Sequence, residues 1–157
     1  HLVQVDVSNK VRIGNSNITS IGGQVGWTTF SDGRYKQNVQ ENVPGIAFIN
    51  KLHPVTYSVD PKSLDENYYK LTPGMYSTAN ASYRHTGFIA QEVERSATEL
   101  GFSFSGVDRP QEPGKLYGLR YAEFVVPLVK AVQELSKEND ELLKRIEKLE
   151  SLLFSKK

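Results

Sequence analysis

Cysteine is missing from all 157 residues, so no disulfide framework holds this chain and its redox compartment leaves no mark on the sequence. Histidine is almost as scarce. His1, His53 and His85 are the whole supply, and without thiolates they make a structural zinc site untenable. No apolar run approaches the roughly 18 residues that a membrane span needs, and no signal peptide is visible. Charge of one sign is not in excess: 19 Lys+Arg stand against 18 Asp+Glu, which removes the usual electrostatic mark of a nucleic-acid or anionic-membrane binder. A Walker-type glycine loop is also missing, so nothing implies a bound nucleotide, and no cofactor is expected.

What is present reads as globular: 38% of residues are hydrophobic and 24% charged. The length allows one ordinary domain and an appendage. Val3, Val5 and Val7 alternate with Gln4 and Asp6, the period-two pattern of a half-buried strand. Ser8-Asn9, Gly14 to Asn17 and Gly22-Gly23 punctuate further short candidates at Val11–Ile13, Ile18 and Gln24-Val25. Strands this short bury little alone and suit the end of a longer β-rich shaft, so residues 1–30 are expected to be the last part of one. A small free-standing meander is the alternative.

Beyond Phe30, Pro44-Gly45 opens a short helix, Ile46 to Leu52, which His53-Pro54 stops. Val55–Val59 reads as a strand. Residues 60–84 are polar and tyrosine-rich without a period, marking a protruding or functional loop. His85–Ala90 is a strand that feeds a helix over Gln91–Leu100, closed by Gly101. Phe102 and Phe104 form a brief alternation, 108–114 a loop, and Lys115–Leu119 a final strand. Asn17-Ile18-Thr19 and Asn80-Ala81-Ser82 fit the glycosylation triplet, a match too common to weigh.

From about Tyr121 to Phe154 the chain carries a heptad. Val125, Val132, Asn139, Ile146 and Leu153 share one core position, and Leu128, Leu135, Leu142 and Leu149 the other. A pattern sustained this long specifies a coiled coil. Asn139 alone is compatible with two strands. Leu143 and Leu152 widen the apolar face, and Arg145 stands where it pairs with Glu150, so three strands are favoured.

Candidate chemistry centres on Ser31-Asp32-Gly33-Arg34-Tyr35-Lys36. A serine hydroxyl is a weak nucleophile until a base takes its proton, and lysine serves as that base only where burial or nearby positive charge favours the neutral amine. Ser31 and Lys36 fall on different faces of a regular helix or strand, so they meet only if the chain turns between them. Asp32-Gly33 is a turn-forming pair.

The order of motifs resembles the carboxy-terminal intramolecular chaperone domain of phage endosialidases and other tail spikes, relatives of the autoprocessing region of myelin regulatory factor. The matching pieces are Ser31 to Val39, Phe48 to Tyr57, Gly87 to Glu94 and Tyr121 to Ala131. The resemblance implies an α+β fold: a small mixed domain, preceded by a β-rich shaft end and followed by a long helix in a trimeric coiled coil. The boundaries would be 1–30, 31–120 with its protruding loop, and 121–157. It implies a homotrimer that helps fold the upstream shaft of its own polypeptide and then releases itself, as a single-turnover Ser-Lys serine peptidase. Ser31 and Lys36 map onto the dyad, and His85 onto a functional histidine. Such a domain would belong to a virion tail-spike or fibre precursor assembled in the host cytoplasm and absent from the mature particle. Five-membered ring closure favours cleavage of Phe30–Ser31 over Ser31–Asp32. Two other readings compete: a non-cleaving trimeric fibre tip or adhesin that contacts a surface or glycan, and a coiled-coil assembly module without chemistry.

Overall fold

The computed structural model describes residues 3–5, 11–13, 18, 20–64, 66 and 83–154. The turns expected at Ser8-Asn9 and at residues 14–17, both glycosylation triplets, and most of the loop 60–84 lie outside them in whole or part. The architecture is mixed, with small antiparallel two-stranded sheets and one long helix. Contacts divide the chain into two interleaved units: residues 1–37, 54–87 and 111–116 in one, residues 38–53, 88–110 and 117–157 in the other.

The first unit holds two ladders. Strand β1 (Val3–Val5) pairs with β2 (Val11–Ile13), Val3 opposite Ile13. Strand β3 (Val55–Tyr57) pairs with β4 (His85–Gly87), Tyr57 opposite His85. The strand expected at Gln24-Val25 is a bend, and residues 21–30 contain no strand. Gly22, Gly23 and Gly26 weaken strand formation there, and among the described residues no strand pairs with it. Trp27 (88%) and Phe30 (100%) stand in solvent. Within the segment read as a loop lies a single helical turn, Pro61–Leu64. The Asp60 carboxylate accepts the Ser63 N–H at 3.2 Å, and proline suits the first helical position.

The second unit is built on an aromatic core. Helix α1 (Ile46–Ile49), shorter than expected, sends Phe48 into it. After the Pro61–Leu64 turn (α2), helix α3 (Ala90–Glu99) contributes Val93 and Ala97, spaced four apart on one face. Gly101 closes α3 with a φ of 62°, a left-handed conformation that glycine adopts without strain. Phe102 and Phe104 form no strand. Their rings lie 5.3 and 5.0 Å from Phe48, filling the core instead. The final strand shrinks to β6 (Gly118–Leu119), paired with β5 (Val107–Asp108) inside the segment read as loop.

A 3₁₀ turn (Tyr121–Phe124) leads into α4 (Val125–Phe154). Pro127 is its third residue, where the missing N–H has no intrahelical partner to lose. Pro127 and Ala131 are buried, and α1 packs on this part of α4. The Glu134 carboxylate accepts the Ile46 N–H at 2.8 Å, supplying from another helix the cap that Gly45 lacks. From Leu135 onward every described side chain of α4 is exposed. The apolar heptad positions from Val132 onward, Leu135, Leu142, Ile146 and Leu149 among them, are each half exposed or more.

Candidate active site

A single 3₁₀ turn, Gly33–Tyr35, sits between Ser31 and Lys36. Asp32 caps it: its backbone is extended (φ −74°, ψ 121°), and its carboxylate accepts the Arg34 N–H at 2.9 Å. The turn closes with Tyr35 N–H donating to the Asp32 carbonyl at 3.1 Å and Lys36 N–H to the Gly33 carbonyl at 3.2 Å. Beyond it Lys36 returns to extended backbone, and its side chain runs back along the turn. Lys36 Nζ donates to Ser31 Oγ at 2.8 Å. The two residues of the expected dyad are in contact.

Arg34 was not singled out by the sequence reading. Its guanidinium grips Asp32 twice, with Nε 3.0 Å and Nη2 2.6 Å from Oδ2. That grip, with the Arg34 backbone N–H, holds the Asp32 carboxyl below the usual carboxylate range. The same contact raises the arginine. An ionised carboxylate facing Lys36 would favour the charged amine; here it is turned to Arg34. The only sequence signal was an opposite-charge pair two apart at a turn. Gly33 has a different role from the one expected. Its φ is not positive and a Cβ there would meet nothing within 4 Å, so the cap, not glycine, makes the turn.

His85 lies in the same unit, on β4, half-buried. Its ring stacks on Tyr57 at 5.4 Å and meets the edge of Tyr83 at 4.7 Å. Arg84 beside it donates to the Thr56 carbonyl at 3.2 Å, holding the β3–β4 pair from its open side. Among the described residues no hydrogen bond, ion pair or ring contact joins His85 to Ser31 or Lys36. Phe30, the residue before the serine, is fully exposed, leaving the Phe30–Ser31 bond open to approach.

Residues 31–102 match a peptidase family described as the chaperone of endosialidase. That segment is similar to the family. The matched stretch opens on Ser31 and takes in Lys36, α1, the β3–β4 ladder and α3, so it runs through both units. No curated protein matches the chain.

A second polar cluster lies in the other unit. Glu94 on α3 pairs with Arg109 and accepts the Tyr117 hydroxyl at 3.0 Å. The hydrogen bond to Glu94 pushes the Tyr117 hydroxyl above its ordinary value. These contacts tie residues 109 and 117 to α3. Lys51 and Glu99 pair at 2.7 Å, lowering the Glu99 carboxyl and joining the end of α1 to the end of α3. Both are structural braces. Neither sets a nucleophile beside a base.

Proposed function

We propose that the chain is an intramolecular chaperone that assembles as a homotrimer, assists folding of a β-rich shaft preceding Ser31, and detaches itself by autoproteolysis. The family supports the chaperone role and its peptidase character. The contact that carries the cleavage reading is Lys36 Nζ at 2.8 Å from Ser31 Oγ. Homotrimer formation is supported by the heptad of α4, whose described apolar positions from Val132 onward are exposed.

The reaction follows from the turn. In water a lysine amine is protonated, and excluding water from around it favours the neutral form. Neighbouring chains that close over the turn would supply that exclusion. The neutral Lys36 amine then accepts the Ser31 hydroxyl proton as Oγ attacks the Phe30 carbonyl carbon through a five-membered ring. Collapse of the tetrahedral adduct breaks the Phe30–Ser31 C–N bond, and the Lys36 ammonium returns the proton to the departing Ser31 amine. An ester now joins the Phe30 acyl group to Ser31 Oγ. Water hydrolyses it, leaving a Phe30 carboxylate and a free Ser31 hydroxyl. Asp32 stays on Arg34 throughout and keeps the turn closed. His85 enters as the third functional residue, its ring held by Tyr57 and Tyr83.

Mass analysis of the expressed chain tests this. A fragment beginning at Ser31 is expected from the native sequence and only the intact chain from Ser31→Ala. An intact native trimer would leave the chaperone role without the peptidase.

A further inference from the structure

One open groove in the second unit, of about 490 Å³, has no place in the account above. Glu41 and Val43 form one wall, and Val125, Val126 and Val129 of α4 the other. The three helix valines are exposed by 55, 57 and 51%. Together with Val43 they form an apolar strip edged by Glu41, Lys130 and Gln133, a surface suited to a partner. Its place on the helix indicates what fills it. With Val125 and Val132 at heptad position a and Leu128 at d, Val126 falls at b and Val129 at e. The groove thus flanks the seam on its e side, and Val125 belongs to both. Helix α1 docks on the opposite flank: Ala131 is at g and Glu134, which caps α1, is at c.

In a parallel coil the g flank of each helix adjoins the e flank of the next. Arg145 at g and Glu150 at the following e are charged to pair across that junction. A helix that carries α1 on its g flank therefore brings α1 to its neighbour's e flank, where the groove lies. We infer that the groove of each chain receives α1 of an adjacent copy, through the exposed face around Ala47. This rests on the trimer reading and adds to it. The chaperone segment would be clamped between two α4 helices, its own and a neighbour's, so each segment is complete only in the assembly.

The cysteine-free sequence makes the test clean. Ala47→Cys is combined with Val126→Cys, and separately with Val129→Cys, in the full chain. Each is oxidised, run on a non-reducing gel, and sedimented before oxidation. Loss of the monomer band to covalent dimers and trimers, reversed by reductant and missing from the single-cysteine variants, is the expected result. A trimer in sedimentation without interchain cross-links from either pair overturns the groove assignment and leaves the trimer standing. A fast-running monomer band, from a bond within one chain, also overturns it. A monomer in sedimentation, with the native sequence monomeric too, removes the trimer and the groove assignment together. Should the double variants alone lose assembly, Val126→Asp is the second probe: it is expected to weaken trimer formation, and full native assembly of that variant overturns the inference.

Discussion

Replacing Gly45 by alanine asks whether α1 sits on α4 as described. A Cβ at residue 45 would lie 2.5 Å from Glu134 Oε2 and 2.7 Å from the Ala131 backbone nitrogen. The carboxylate has room to swing away, but doing so abandons the Ile46 N–H it accepts at 2.8 Å. The helix backbone at Ala131 cannot move without disturbing the packing of α4. Overpacking of this kind costs about 1–3 kcal/mol. Losing a hydrogen bond to a charged acceptor costs about 1.5–3 kcal/mol. Together Gly45→Ala should destabilise the unit by about 3–4 kcal/mol. With a urea dependence of about 2 kcal/mol per molar, the midpoint should fall by about 1.5–2 M, measured at fixed protein concentration. Glu134→Ala alone should cost about 2 kcal/mol. The double variant separates the two obstacles, because residues in contact do not act additively. It should remain less stable than Glu134→Ala, since the clash with the Ala131 nitrogen persists. A Gly45→Ala protein whose midpoint matches the native one would refute the docking of α1.

Ser31→Ala should stop cleavage while shifting stability by less than about 0.5 kcal/mol, as the side chain is exposed; intact mass and a melting curve report the two. Lys36→Arg should be as inactive as Ser31→Ala, because a guanidinium does not give up its proton, and a cut product from this variant would remove lysine from the mechanism. A chain ending after Val132 should be largely monomeric and cut slowly or not at all, whereas an unrelated three-stranded coil fused in its place should restore cutting; sedimentation and a cleavage time course decide it. The depressed Asp32 carboxyl predicts an acid limit for the turn. Because the folded value lies below the unfolded one, its contribution is complete above the ordinary carboxylate range and disappears as pH falls through the folded value. An NMR titration should find Asp32 ionising lower than a free aspartate, and returning toward it in Arg34→Gln.

The parts of the fold legible in sequence were those with a local cause. Gly101 announced the end of α3 and the heptad the length of α4, whereas α1 stops at Ile49, short of the His53-Pro54 stop. The turn between Ser31 and Lys36 was foreseeable from Asp32-Gly33, although Asp32 does the turning through its cap. The resemblance named the dyad and His85, and geometry supplied the contact only for the former. Strand β5 escaped because two residues have no period, and Lys115 to Tyr117 were read into β6 because only Gly118 and Leu119 find a partner. The Glu134 cap on α1 joins residues 88 positions apart, and no local pattern encodes it. Phe102 and Phe104 alternate like strand residues, yet they pack with Phe48 and Phe124 because aromatic burial outweighs a two-residue preference.

The outer part of α4 has a consequence for when this molecule works. Its described side chains from Leu135 to Phe154 are all exposed, and at 1.5 Å per residue the segment extends about 30 Å. Most helical stability in proteins comes from packing an apolar face, and the apolar face of this segment is exposed. In the proposed trimer its order is borrowed from other copies, and borrowing of this kind depends on how many copies are near. The stalk is then a gauge of crowding among sister chains. A dilute chain would hold the serine and the lysine in contact yet keep its stalk frayed, while chains made side by side would register one another at once.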